Sequence, residues 1–200
     1  MLIVRELSLG PMRFSELARA VGGAPTDVLT RRLRDLGDDG IVARRDLDPP
    51  IAATVYELTE FGRGLEPPML ELARWGMGLQ TVEEVLDLTS TSLPNAIRVI
   101  LSPPPDFTLT LGLRSEGHAY ILRFENGWIE ATRESGAADL TLSGKPIDVV
   151  TTLVFGERQD REVEIEGDKT PLAEIQQMVE IPERLREEAL AAISAGLIPA

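Results

Sequence analysis

Thr26, Thr30, Arg31 and Arg34 are the residues of this chain whose types and spacing best suit a chemical task. Leu29, Leu33 and Leu36 recur among them at helical intervals. The leucines therefore make one apolar stripe, and the threonines and arginines face away from it. A short amphipathic helix with hydroxyl and guanidinium groups on its outer side suits insertion into a DNA major groove, with Arg32 near the phosphates. A solvated helix with ordinary surface arginines would show the same pattern, so the helix alone does not decide. Arg44 and Arg45 form a second basic pair. Neighbouring side chains of a strand point to opposite faces, so one of the two is expected to meet DNA.

Other chemistry has little to build on. His118 is the only histidine, which excludes metal sites built on paired histidines. It follows a turn and reads as a solvated strand residue. Cysteine is absent, which removes disulfides, thiolate metal sites and thiol redox sensing. No Gly-x-Ser-x-Gly and no phosphate loop occurs. Glu162, Glu164, Glu166 and Asp168 alternate along one run and read as a solvent-facing strand edge rather than a cation site. We expect no catalytic residues, no metal and no cofactor, and we read the chain as a non-enzyme.

The elements that must position the basic residues are legible around them. Residues 2–9 read as the end of a helix stopped by Gly10-Pro11. Residues 14–21 form a second short helix with Phe14, Leu17, Ala18 and Val21 inward, and Gly22-Gly23-Ala24 makes the turn into the Thr/Arg helix. Asp38-Asp39-Gly40 stops that helix. Two β-rich runs follow, 41–46 and 54–58, separated by a stretch in which Pro49-Pro50 excludes regular pairing. Helix, turn, helix and hairpin make a winged helix. Thr59 caps a further helix over 60–75, with a kink or restart expected at Pro67-Pro68.

Here the chain resembles a known family. The run Leu9-Gly10-Pro11-Met12-Arg13-Phe14-Ser15-Glu16-Leu17, then Val28-Leu29-Thr30-Arg31-Arg32-Leu33-Arg34-Asp35-Leu36, then Val55-Tyr56-Glu57-Leu58-Thr59-Glu60-Phe61-Gly62, closing on Arg74-Trp75-Gly76, looks like the HxlR-type bacterial transcription regulators. The resemblance implies a DNA-binding regulator acting as a homodimer on double-stranded DNA, at a near-palindromic operator. Met69, Leu72 and Trp75, on one face of the last helix, are the candidate dimer contacts. Members of the family usually carry residues ahead of Met1, including an arm that contributes to dimerisation. Some sense oxidants or electrophiles through a cysteine, which this chain cannot do.

Composition bounds the rest. Two hundred residues permit one large or two small domains, with enough apolar content for real cores. No apolar run could span a bilayer and no leader precedes Arg5, so a soluble cytoplasmic protein is expected. The net charge is −13, which argues against DNA at first sight. Residues 1–76 hold 10 Lys+Arg against 12 Asp+Glu, a net of −2, and the remainder carries −11. The acid sits mostly in the second half. DNA binding, if weak in its electrostatics, should depend strongly on salt.

Residues 77–92 read as a connecting helical segment, with a helix over 81–88 broken by Thr89-Ser90-Thr91-Ser92. Ser92 and Pro94 open a helix to about 101, and Ser102-Pro103-Pro104-Pro105 ends it. The period then changes to two. Strands are expected over 107–113, 118–124, 128–133 and 139–142, with a hairpin at Asn126-Gly127. Four antiparallel strands in chain order predict a meander. A helix over 145–155, a strand over 161–166, a helix over 171–179 and a tail helix over 183–193 follow.

This second half, about residues 93–182, resembles the sterol-carrier-protein-2-like (SCP2-like) domain. The residues that carry the likeness are Ala138-Asp139-Leu140-Thr141-Leu142-Ser143-Gly144 and Val163-Glu164-Ile165-Glu166-Gly167-Asp168, with Leu172. It implies a small apolar ligand held between sheet and helices. The candidate lining is the inward row Phe107, Leu109, Leu111, Leu113 and Ile121, with Trp128, Val150, Leu153 and Phe155, although apolar rows of this kind also serve simply as core. The expected fold class is α+β: an N-terminal winged helix-turn-helix over 1–76, the connection, and an SCP2-like antiparallel sheet covered by helices over 93–200. A carrier or protein-interaction protein whose winged helix no longer binds DNA is the rival reading.

Overall fold

The computed structural model describes residues 1–23, 25–48, 52–81, 83–84, 87–156 and 162–195. The chain divides into two compact units, Met1–Leu70 and Glu71–Ala200.

The first unit runs α1 (Leu2–Leu7), β1 (Met12–Arg13), α2 (Phe14–Ala20), α3 (Thr26–Asp38), β2 (Val42–Asp46), β3 (Thr54–Leu58), α4 (Glu60–Arg63) and the start of α5 (Glu66–Met77). Its three strands pair antiparallel in the order β1-β3-β2. One apolar cluster holds it together. Val4, Leu7, Met12, Leu17, Leu29, Leu33, Val42 and Leu58 are buried in it, so every helix of the helix-turn-helix and both wing strands contribute. The leucine stripe of α3 is what fixes which side of that helix faces out. β1 is too short to announce itself by alternation, and it closes the sheet where Gly10-Pro11 ends the preceding segment.

The junction below the wing is tight. Thr59 caps α4, its hydroxyl accepting from the Gly62 amide at 2.9 Å and donating to the Gly40 carbonyl at 2.6 Å. A Cβ placed on Gly62 would lie 2.1 Å from the Ile41 carbonyl oxygen, so only glycine fits there. The expected helix over 60–75 is two helices, and α5 restarts at Glu66. Pro67 and Pro68 stand in its first turn, where amides have no helical partner to lose.

The second unit takes the rest of α5, then α6 (Leu93–Ile100), β4 (Leu109–Ser115), β5 (His118–Glu125), β6 (Trp128–Thr132), β7 (Leu140–Ser143), α7 (Pro146–Phe155), β8 (Glu164–Gly167), α8 (Thr170–Gln177) and α9 (Glu183–Ser194). The expected helix over 81–88 lies partly outside the described residues. Arg74 on α5 fastens the C-terminal end of α6. Its Nε donates to the Val99 carbonyl at 2.9 Å, and its Nη2 to those of Arg98 and Leu101 at 3.1 and 3.2 Å. Those carbonyls have no intrahelical donor, so the guanidinium fork acts as a cap.

The sheet corrects one expectation. It is mixed, in the order β6-β5-β4-β7-β8, and β7 runs parallel to β4. The Ser115–His118 and Asn126-Gly127 turns make hairpins as expected, but the chain after β6 recrosses the sheet instead of turning back beside it. Gly112 makes room for that return: a Cβ there would meet the Thr141 hydroxyl at 2.7 Å and the Ala138 methyl at 3.2 Å. Alternation specifies a strand's two faces, and it does not specify the strand's neighbour. Gly136-Ala137-Ala138 is no two-residue turn sequence, and that was the only local sign.

Cross-strand register sorts the side chains. Leu109, Leu111 and Leu113 share a face with Phe124, Leu122 and Tyr120, with Ile129 and Ala131, and with Leu140, Leu142 and Ile165. Val149 and Leu153 of α7 and Ile175 of α8 are fully buried, and these two helices pack together. Among the described residues no helix is long and apolar enough to cross a membrane.

Candidate nucleic-acid interface

The outer side of α3 is accessible along its length. Thr26, Thr30, Arg31, Arg32 and Arg34 are all exposed, whereas Leu29 and Leu33 are buried and Leu36 half-buried against the core. Among the described residues Arg31 and Arg34 bond no protein group, so both guanidinium groups are available. Arg32 is less so, standing 3.7 Å from Asp35 one turn on. The Thr30 hydroxyl donates to the Thr26 carbonyl at 2.7 Å, which leaves its oxygen free to accept. Asp27 also belongs to this exposed side, and a pattern of cations and hydroxyls alone omits it. Its spacing to Thr30, Arg31 and Arg34 was visible in the sequence.

The two wing arginines differ. Arg45 makes a forked pair with Glu57 across the hairpin, Nε to Oε1 at 2.8 Å and Nη2 to Oε2 at 2.9 Å. The hydrogen bond from Arg45 holds the Glu57 carboxyl below its ordinary range against a smaller opposing effect of burial, and the same bond raises the Arg45 guanidinium. Its charge is therefore largely answered within the protein. Arg44 is exposed, stands opposite Tyr56, and has no partner among the described residues.

The candidate dimer residues fall into two kinds. Leu72 is 56% exposed and Trp75 68%, with Leu79 exposed further along. Met69 packs against the core of the first unit.

The candidate ligand residues are mostly interior. Phe107, Leu109, Leu111, Leu113 and Leu153 are buried, with Leu111, Leu113 and Leu153 fully so, and Val150 and Phe155 are half-buried. Phe107 lies ahead of β4 and meets Phe124 edge to face at 5.5 Å between centroids. Ile121 is buried on the other face of the sheet, because it pairs with Gly112 rather than with a leucine of the row. A one-residue difference in register is enough to move it there. Trp128 alternates away from Ile129 and Ala131, and at the sheet edge its ring carries the Arg98 guanidinium, 5.3 Å from the centroid. Depressions lined by described residues include an open one of about 520 Å³, bounded by residues 114–119 with Gly144 and Lys145. A small one of about 10 Å³ lies under the returning chain and touches Leu113 and Ile121. His118 is exposed with its ring stacked on Tyr120, and Glu166 pairs with Arg114 at 3.1 Å. The described residues hold no cluster of acids or histidine suited to a metal.

A helix-turn-helix whose second helix is exposed on one side and followed by an antiparallel hairpin defines a winged helix-turn-helix domain. Residues 1–84 match the HxlR-like helix-turn-helix family. The HTH-type transcriptional regulators YybR and YvaP of Bacillus subtilis are 40% and 37% identical to it, each over 75 residues. The matched stretches cover 38% and 37% of this chain and 60% and 68% of those proteins. The HTH-type transcriptional regulator sll1512 of Synechocystis is 40% identical over 76 residues, 38% of this chain and 56% of that protein. The chain belongs to the HxlR-like family. It spans about 60% of the length of the first curated relatives it matches. Of solved structures, the reduced transcriptional regulator YodB from B. subtilis aligns at 32% identity and a TM-score of 0.36, over 38% of this chain and 74% of that one. The reduced redox regulator HypR aligns at 36% and 0.37, over 42% and 82%.

Proposed function

We propose that this protein is a cytoplasmic, homodimeric, DNA-binding transcription regulator that reads a near-palindromic operator, and that its C-terminal unit is SCP2-like and takes a small apolar ligand. The observation that carries the DNA reading is the exposed row Thr26, Thr30, Arg31 and Arg34 on the second helix of a winged helix-turn-helix, with both arginines unpaired. Relatives named as transcriptional regulators share that part of the chain. Arg31 and Arg34 reach base edges, Arg32 and Arg44 meet phosphate, and Arg45 supports the wing through Glu57. Leu72 and Trp75 supply apolar surface for a second copy. Since the chain has no cysteine, its input is occupancy by a molecule rather than thiol chemistry.

Fluorescence anisotropy on duplexes from upstream of its own gene, from roughly 50 to 200 mM salt, tests this. A specific shift that weakens steeply with salt is expected. No shift at any salt would overturn it. The internal pairing of Arg32 and Arg45 with acids favours the rival, a carrier whose winged helix does not bind DNA, and that result would select it.

A further inference from the structure

We propose that Asp27 reads a cytosine in the operator, an inference that rests on the DNA-binding role assigned to α3. Asp27 is the second residue of α3 and lies three, four and seven residues before Thr30, Arg31 and Arg34. Those offsets put it on the same exposed side, one turn nearer the helix start. In helix-turn-helix proteins the first turns of the second helix approach the base edges most closely. Its carboxylate is exposed and makes no bond to any described residue. Asp35 and Glu57, by contrast, are paired with arginines. The helix has Pro25 at its N-cap and no side-chain capping bond, so Asp27 is not spent on that duty.

An ionised carboxylate only accepts hydrogen bonds. Against phosphate it is repelled. In the major groove its natural complement is the cytosine N4 amino group, whereas guanine would oppose it with the O6 and N7 acceptors. Arg31, one turn on, carries the opposite preference, two donors for guanine O6 and N7. The pair reads a C·G base pair or a C and a G in adjacent steps. The same negative charge weakens attachment to arbitrary DNA, where only phosphates are on offer, and so widens the margin between operator and random sequence.

The test is selection from randomised duplexes with the intact protein, its Asp27→Asn variant and its Asp27→Ala variant, followed by anisotropy on single-base variants of the selected site. The wild-type protein should require cytosine at one position per half-site, losing roughly five- to a hundred-fold for other bases. Asp27→Asn should move that preference to adenine, whose N6 and N7 suit an amide, and both variants should bind random duplex more tightly. Thermal melts confirm that the variants are folded, and a role confined to the helix start would lower the melt without changing the base. If all three proteins select the same bases everywhere, the assignment to Asp27 is overturned while the DNA-binding role stands. If the wild-type protein selects no sequence at low salt, both fall.

Discussion

The two units put their functional candidates in opposite places. In Met1–Leu70 the candidates are residues the core leaves out: Leu29 and Leu33 anchor α3, and Arg31 and Arg34 are displayed because of it. In Glu71–Ala200 the candidates are the core itself, with Leu111, Leu113 and Leu153 fully buried. An exposed, unpaired guanidinium is open to a partner but is also the ordinary state of a surface arginine, so only a binding measurement separates the two. A fully buried leucine is already explained by the sheet it stabilises, and needs a cavity beside it before it lines anything.

The sharpest way to test that contrast is Gly62→Ala. Its methyl would stand 2.1 Å from a backbone oxygen, so α4 and the hairpin must part. We expect a loss of about 3 kcal/mol or more, together with loss of DNA binding. Denaturant melts should show it as an early transition, and a melt like that of the wild-type protein would show that the junction is looser than described. Leu111→Ala comes next. As pure core it should lower stability by roughly 2–5 kcal/mol and leave DNA affinity unchanged below the melt. A small loss of stability with a large loss of a copurified apolar ligand, read by mass spectrometry, would break the comparison and make Leu111 a lining residue.

Arg34→Ala should weaken operator binding by about 1–3 kcal/mol and relax specificity. Arg32→Ala should weaken operator and random duplex alike, with a salt slope lower by about one. Equal, purely thermal effects of both would make α3 structural. The smallest effect concerns Glu57. Its carboxyl is lowered by the bond from Arg45, so its contribution to the hairpin is complete above the ordinary glutamate range, near about 4.3, and fades as pH falls through the lowered value. Carboxyl shifts by NMR should show Glu57 titrating below an unpaired glutamate, and an ordinary value would mean that the pair does not persist in solution.

Most of the first unit was legible because its rules are local. The leucine spacing, the Gly22-Gly23 turn and the Thr59 cap each act within a few residues, while the Pro49-Pro50 reading lies outside the described residues. β3 appears at the expected 54–58, and β2 at Val42–Asp46 within the run foreseen at 41–46. What the sequence hid was contact at a distance. Glu57 answers Arg45 across a hairpin, and nothing local distinguishes Arg45 from Arg44. The strands of the second unit were visible for the same local reasons, but the partner of β7 was not. That choice turns on Gly112 making room for Ala138 and Thr141, far along the chain. Ile121 is a separate case: the β4–β5 hairpin register sets its face by pairing it with Gly112, and alternation alone supplies only a parity.

The Arg74 fork has a consequence for the connection that follows it. Because its guanidinium already joins α5 to the end of α6, residues 78–92 do not have to hold those two helices together. The joint is a clasp of one side chain: Arg74→Ala would strip the Arg98, Val99 and Leu101 carbonyls of that donor at once.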